Sequence, residues 1–385
     1  MFLELPEWNR YQSETALVLM MMAVACAIPG VFLVLRRLVM VSDAISHVLL
    51  FGIVVAYLWT RDLASPWLVL GAAASGVLTV AIVELLQRGK QIHADAAVGL
   101  TFPALFSVGV ILASMYTRNT HLDVDQVLLG FAEYAPLDRL VVGEISVPRG
   151  FILGGGFVLV NALLVVLFFK ELQLTSFDPG LAATLGFLPG VLHYGLMTIV
   201  SLTAVTAFDA VGPVLVVAFF AVPPATAYLL TDRLERMLLL SALLAAAAAY
   251  LGVVAAFAWN TTIAGTTTSV LGLMFALVFL LAPDHGVLAR SRRRWQQRRE
   301  FHTVMLTIHL IHHENTPAEA EEARRDGLHR HLRWAPEEVT KVVHRAEQRG
   351  WITIQAGVLR LTSAGREIAR SILGQNDSKR SSSHF

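Results

Sequence analysis

The chain has 385 residues, of which 55% are hydrophobic and 15% are charged, and its mean hydropathy is +0.61. This composition excludes an ordinary soluble domain and is typical of a protein that crosses a membrane several times. The net charge of +1 conceals an asymmetry, because 18 of the 30 lysines and arginines and 8 of the 13 histidines follow Ala289. The single cysteine, Cys26, excludes a disulfide framework or a thiolate metal cage within one chain.

Apolar stretches long enough to span a bilayer recur along the first three quarters of the chain. We count nine, although the second and seventh are short enough to leave eight as an alternative: 15–35, 43–59, 65–87, 96–116, 150–169, 190–208, 211–230, 236–257 and 266–283. The sequence therefore predicts an all-α polytopic membrane domain over residues 1–289.

The distribution of basic residues around these spans predicts their orientation, because cytoplasmic loops are enriched in lysine and arginine. One side receives the paired and clustered basic residues: Arg36/Arg37, Arg88/Lys90, Lys170, Arg233/Arg236 and the run 290–299. The other side receives single arginines, among them Arg139 and Arg149. We therefore expect the N-terminus outside the cell and the C-terminus in the cytoplasm.

The second span contains two ionisable side chains, Asp43 and His47. A charged group inside hydrocarbon costs roughly 2.5–3.5 kcal/mol even on the lenient insertion scale, so such residues indicate a function. Because they are four residues apart, they lie on one face of a helix. A carboxylate and an imidazole together suit a cation such as Mn, Fe or Zn. The residues alone leave open a polar pair that hydrogen-bonds between helices.

The motif around this pair resembles that of the permeases of zinc/manganese/iron-uptake ABC transporters, which is close to G-D-A-L-S-H-A-x-L-P-G. This chain has S-D-A-I-S-H-V-L-L-F-G over 42–52, so the Asp, Ser, His and final Gly match. Ser42 replaces the first Gly, and Phe51 replaces the Pro, so the proline kink is not expected. The resemblance implies that Asp43 and His47 line a metal path.

The loop at 117–149 contains His121, Asp123 and Asp125. It is either a metal-attracting vestibule or docking surface for a binding protein, or a solvated loop with a short re-entrant helix. The spacing favours the second interpretation.

The segment 170–187 reads KELQLTSFDPGLAATLGF and predicts a short capped helix between two spans. Ser176 or Asp178 is the predicted N-cap, Pro179 takes the first helical position, and Gly186 ends the helix. Any interfacial helix has such features, but the segment is also similar to the ATPase-facing loop of the metal-type permeases. The resemblance implies that an ATPase is contacted by Ser176, Phe177, Asp178, Pro179 and Gly180.

A third segment, 202–233, follows the sixth span and contains Asp209. Pro223 and Pro224 are predicted to break the seventh span, and broken membrane helices often mark transport paths. The segment resembles F-(D/E)-A-V-G…P-P-A-T-A-Y-L-L-T of the metal-type permeases, which makes Asp209 a candidate third path ligand or an outer interfacial residue. The three motifs together extend the resemblance over about residues 12–285.

The chain changes character after Pro283. Residues 290–300 form a basic juxtamembrane linker. Its basic residues are better explained by contact with anionic lipid than by nucleic-acid binding. Residues 301–374 predict a small cytoplasmic α+β domain of three helices, a β-hairpin and a last helix, which resembles the winged-helix domain of the iron-dependent repressor family. Residues 375–385 are predicted to be disordered.

The third helix of this domain, at 336–348, presents side chains to nucleic acid or to a protein partner: Thr340, Lys341, His344 and Arg345. Its glutamates oppose these cations, so nucleic acid is not the favoured partner, and we expect the domain to act on the transporter. His302, His309 and His313 lie near one face of the first helix. A packed face is favoured over metal sensing, because a second helix is needed to complete a site.

The sequence as a whole predicts the permease subunit of an ABC importer for divalent manganese, iron or zinc in the bacterial inner membrane. It has no catalytic constellation and no G-x-x-x-x-G-K-[ST] loop, so we expect no enzyme activity, no permanent cofactor, and ATP use by a separate ATPase subunit. An external metal-binding protein and a second permease subunit, identical or paralogous, are the other expected partners. The rivals are a membrane-tethered metal-responsive transcription regulator and an ion-coupled secondary transporter.

Overall fold

The computed structural model describes residues 9–62, 65–87, 92–116, 132–142, 145–283, 286–317, 319–355 and 357–381. The chain divides into two compact units, Met1–Gly286 and Val287–Phe385. Among the described residues, nine helices are long and apolar enough to cross a membrane, which agrees with the nine predicted spans.

The first unit is helical except for one β-hairpin. Its elements, in chain order, are α1 (Arg10–Leu35), α2 (Val39–Thr60), α3 (Trp67–Gln87), α4 (Ala94–Tyr116), β1 (Arg139–Val142), β2 (Ile145–Pro148), α5 (Arg149–Leu167), α6 (Phe169–Phe177), α7 (Pro179–Thr184), α8 (Pro189–Val211), α9 (Pro213–Leu230), α10 (Leu234–Trp259) and α11 (Ile263–Leu281). The strands β1 and β2 pair antiparallel, and α6 and α7 are short helices between two spans.

Helix α1 lies at the centre of this unit, and a proline within it is compensated by a neighbouring helix. Pro29 has no N–H, so the carbonyl of Ala25 loses its usual helical donor. The buried side chain of Asn161 on α5 donates from Nδ2 to this carbonyl at 2.9 Å and to Thr203 Oγ1 on α8 at 3.1 Å. The same amide thus satisfies the freed backbone group and joins three helices.

The predicted break in the seventh span is wrong, because α9 continues through both prolines. Pro224 frees the carbonyl of Phe220, and α1 packs closely against this point. A Cβ atom on Gly30 of α1 would lie only 2.4 Å from Phe220 O, so glycine alone permits the approach. A full break would expose more unpaired backbone groups than the two that the prolines free, which favours a continuous helix.

Helix α2 is a single helix that packs closely against α3 and α4. A Cβ atom on Gly52 would lie 2.3 Å from the carbonyl oxygen of Gly71 on α3. On the α4 side, a Cβ atom on Gly109 would lie 2.9 Å from Phe51 Cα. Small residues at both contacts let the helix backbones approach each other, as is common between membrane helices.

The second unit contains α12 (Val287–His313), α13 (Glu319–Glu322), α14 (Leu328–His331), α15 (Pro336–Gln348), β3 (Ile352–Gln355), β4 (Val358–Leu361) and α16 (Ser363–Ser381). Apolar side chains of α12, α14, α15 and the antiparallel hairpin form its core. Two short helices stand in place of the single second helix that the sequence predicts for this domain, with Gly327 just before α14. The basic run 290–300 lies within α12, since arginine and glutamine favour helix. Helix α16 runs to Ser381, so it includes residues 375–381 of the tail that the sequence predicts to be disordered.

Candidate functional site

Asp43 and His47 lie one turn apart on α2, with Asp43 Oδ1 3.5 Å from His47 Nε2. Their side chains are 37% and 36% exposed, whereas Ser42, Ala44 and Ser46 beside them are buried. The two ionisable groups therefore point out of the core of their own chain. Ser46, the third polar residue of the motif, donates its hydroxyl to Ser42 O at 2.9 Å and is not aimed at a ligand.

The imidazole of His47 lies against aromatic side chains of α4. Its ring centroid is 5.6 Å from that of Phe102 and 6.3 Å from that of Phe106. These contacts restrict the ring on one side and leave the carboxylate of Asp43 on the other. The two side chains thus lie on one face of α2, as their spacing predicts.

The described part of the chain does not complete a metal site around this pair. The described residues contain one group of three or more His, Cys, Asp or Glu side chains that could hold a metal ion together, and that group lies in the second unit. Two protein ligands leave most of the coordination shell of a transition metal open. His121, Asp123 and Asp125, which the sequence offered as a vestibule, lie outside the described residues.

The structure does not bring Asp209 to the pair. Asp209 lies exposed in the last turn of α8, whereas His193, in the first turns of that helix, has its Nδ1 atom 3.5 Å from Arg36 Nη1. Sixteen residues of helix separate Asp209 from His193, which corresponds to about 24 Å. Asp209 instead lies in the field of Arg149 and Asp138, at the opposite end of the helix bundle from Arg36.

The connection between α6 and α7 has the local structure that its sequence predicts. Of the two candidate N-caps, Asp178 takes the role, because its Oδ1 accepts from Leu181 N at 2.9 Å. Pro179 follows at the first helical position, and Gly186 ends the element with a φ of +87°. The left-handed backbone at that position favours glycine.

Apolar side chains project from this connection into the surroundings. Phe177 is 62% exposed, and Pro179 and Gly180 beside it are also exposed. We call the following residues the loop patch: Phe177, Leu181, Leu185 and Leu188, all of which are exposed. Four exposed apolar side chains within twelve residues are typical of a protein or membrane contact.

Arg36, which the sequence offered only as a positively charged flank, holds the loop from the inside. Its Nε donates to Ser176 Oγ and its Nη2 donates to Thr175 Oγ1, both at 3.0 Å. Burial lowers the pKa of this guanidinium, which nevertheless stays charged at neutral pH. Ser176 therefore faces inward to Arg36, whereas Phe177 faces outward.

The contacts of the Arg36 guanidinium lead on to two membrane helices, α8 and α3. His193 of α8 lies 3.5 Å from Arg36 through Nδ1, and its Nε2 lies 2.9 Å from Glu84 Oε1 of α3. Tyr194 donates its hydroxyl to Glu84 Oε2 at 2.5 Å. The sequence analysis did not single out Glu84. A carboxylate in the last turn of an apolar span is the signal by which Glu84 could have been found.

The face of α15 offered to nucleic acid or a partner is largely open to solvent. Thr340, Lys341 and His344 are exposed, and Val342, Val343 and their neighbours on the opposite face are buried. Arg345 donates from Nε to Lys341 O at 3.1 Å, so its guanidinium is turned back along its own helix.

Comparisons with known proteins give a consistent result. The model of the ABC 3 transport family matches residues 10–282. The zinc transport system membrane protein TroD of Treponema pallidum is 43% identical over 360 residues, which cover 94% of this chain and 98% of that protein. The manganese transport system membrane protein MntD of Bacillus subtilis is 41% identical over 281 residues, which cover 73% of this chain and 95% of that protein.

A solved structure shows the same arrangement of helices. The structure of PsaBC from Streptococcus pneumoniae in complex with Fab superposes with a TM-score of 0.60 and 27% identity. The match covers 72% of this chain and 94% of that one. The alignment with TroD, in contrast, reaches well past residue 282 into the second unit.

Proposed function

Because the chain belongs to the ABC 3 transport family, we propose that it is the membrane-spanning permease subunit of an ABC importer for manganese or zinc. The observation that carries this proposal is the match over the whole membrane unit, together with relatives named for zinc and for manganese transport. Iron, which the motif resemblance also allowed, is named by neither of these relatives. The metal is cargo in this proposal, and the chain itself is not an enzyme.

A separate ATPase supplies the energy, because the sequence has no phosphate-binding glycine loop. The loop patch is the surface that we assign to this ATPase, and an external binding protein delivers the metal on the opposite side.

The proposed orientation in the bacterial inner membrane places the N-terminus outside and the second unit in the cytoplasm. Arg139, which weakens the charge bias, contacts Glu14 with Nη1 2.5 Å from Oε2, so its charge is compensated.

The metal path runs past Asp43 and His47 and is completed by a second permease subunit. These two residues are exposed on their own chain and gain no third ligand within the described residues. A facing copy or paralogue would contribute a second carboxylate and imidazole, which makes a four-ligand site of the N/O kind suited to zinc or manganese. Asp209, at the other end of the bundle, is assigned to the outer mouth of the path.

Uptake by reconstituted vesicles tests the function. The chain, reconstituted with its partner ATPase subunit and loaded from the external binding protein, should accumulate Mn²⁺ or Zn²⁺ with ATP and not with a non-hydrolysable analogue. The matched control is the same vesicle without the ATPase. Equal accumulation in that control, driven by a proton or sodium gradient, would contradict an ABC importer and favour a secondary transporter.

We further propose that the second unit is a winged-helix domain that acts on the transporter. The order of helices α12 to α15, the β3–β4 hairpin and α16 supports the fold, and the exposed glutamates of α15 among its cations disfavour the phosphate backbone of DNA. Truncation after Arg299 should leave metal entry but change its rate or its response to cytoplasmic metal. Sequence-selective binding of the purified full chain to its own promoter at physiological salt would overturn this, in favour of a membrane-tethered regulator.

A further inference from the structure

Four side chains from three helices meet in the second unit. His309 and His313 lie one turn apart on α12, Glu322 ends α13, and His331 ends α14. The Oε2 atom of Glu322 is 2.9 Å from His331 Nδ1 and 3.5 Å from His309 Nε2. The rings of His309 and His313 are 4.8 Å apart between centroids. We call these four residues the histidine cluster.

We propose that the histidine cluster binds a divalent transition-metal ion of the zinc class, with His309, His313 and Glu322 as ligands. One ligand atom from each of these three residues lies within 4.8 Å of the others. Zinc bonds of about 2.0–2.2 Å place tetrahedral ligands about 3.4 Å apart, so side-chain rotation alone closes the site. His331 holds the carboxylate of Glu322 in place and stands next to the open fourth position.

The chemistry of the cluster fits an ion better than a simple packed face. The side chain of His309 is only 13% exposed, and imidazole is a common ligand of zinc and similar ions. Its Nε2 also lies 3.1 Å from the main-chain oxygen of Glu322. A backbone acceptor on one ring nitrogen fixes the ring while the other nitrogen binds metal, as is common in metal sites. Imidazole ligands favour zinc over manganese.

The arrangement also explains why the sequence favoured a packed histidine face over a metal site. From the sequence, the histidines of the first helix lacked a second helix to complete a site. The structure supplies Glu322 and His331 from α13 and α14, which are only four residues long each. A metal ion bound by residues of both α12 and α13 would connect the short helix α13 to α12. Binding would therefore stabilise the unit.

Cobalt binding by the full-length chain in detergent tests the proposal without relying on transport. The double variant Asp43→Ala/His47→Ala serves as the background, so that the membrane path contributes no ion. In it, one equivalent of Co²⁺ should bind per chain, with a d–d absorption band that added Zn²⁺ abolishes. His309→Gln/His313→Gln in the same background should weaken binding at least about tenfold. His312→Gln, an exposed neighbour on the same helix, is the control and should bind like the background.

Two outcomes would overturn the site: absence of Co²⁺ binding by the background, or unchanged binding after loss of both histidines. Failure of the transport proposal has a different signature, namely uptake that does not depend on the ATPase. Thermal unfolding gives a second readout, because Zn²⁺ should raise the melting temperature of the background and not that of the His309→Gln/His313→Gln chain. Circular dichroism of both metal-free proteins verifies that the variant folds.

Discussion

Uptake of Mn²⁺ or Zn²⁺ by reconstituted vesicles should fall at least tenfold in Asp43→Ala and in His47→Ala, while both proteins insert into the membrane normally. Each substitution removes one of the two ligand groups that α2 presents, 3.5 Å apart, to the proposed path. Loss of even an outer partner of a metal ligand commonly costs about 10–100-fold in affinity, so loss of a ligand itself should cost no less. Removing an ionisable group from an apolar helix favours insertion, which separates a transport defect from a folding defect.

Ser46→Ala is the matched control for these two variants. Ser46 belongs to the same motif and the same helix, but it is buried and its hydroxyl donates to Ser42 O of its own backbone. Uptake by this variant should therefore stay near that of the unchanged chain. Normal uptake by both Asp43→Ala and His47→Ala would exclude the proposed path.

Phe177→Ala should uncouple the permease from its ATPase. The side chain is 62% exposed at the tip of the α6–α7 connection. Truncating an aromatic anchor of a protein interface commonly costs roughly 2 kcal/mol or more, which corresponds to about thirtyfold weaker association. ATPase stimulation by the permease should fall accordingly, while Co²⁺ or Mn²⁺ still reaches the path from outside. Pro179→Ala, which loosens the first turn of α7, should act in the same direction.

Two further variants make this prediction specific. Leu239→Ala removes an equally exposed apolar side chain from α10, away from the loop, and should leave ATPase stimulation unchanged. Arg36→Ala should leave ATPase binding intact but lower transport, because Arg36 joins Thr175 and Ser176 to His193. If complex assembly and stimulation are normal in both Phe177→Ala and Pro179→Ala, the loop patch is not the ATPase contact.

The parts of the fold that depend on local chemistry could be predicted from the sequence. Nine spans follow from apolar length, and the start of α7 follows from Asp178 and Pro179, since capping involves only adjacent residues. The course of α9 could not be predicted, because Gly30, which packs against the carbonyl freed by Pro224, is far away in the sequence.

The candidate sites show the same difference between features set by neighbouring residues and features set by contacts between distant segments. Asp43 and His47 are one turn apart, so helical periodicity alone places them together. Glu84 and His193 come from different helices, and only the packing of α3 against α8 shows that they meet. The histidine cluster likewise depends on how α13 and α14 fold back on α12. Contacts between distant segments carry no periodic signal in a single sequence.

The glycine contacts of α2 limit how the proposed metal ligands can move. Because neither Gly52 against α3 nor Gly109 of α4 against Phe51 leaves room for one added carbon, α2 cannot slide or rotate alone without steric clash. Any change that exposes Asp43 and His47 first to one side of the membrane and then to the other must therefore carry α2, α3 and α4 together. Glu84 lies on α3 and moves with it, so a displacement of Asp43 and His47 also displaces the carboxylate that lies against His193.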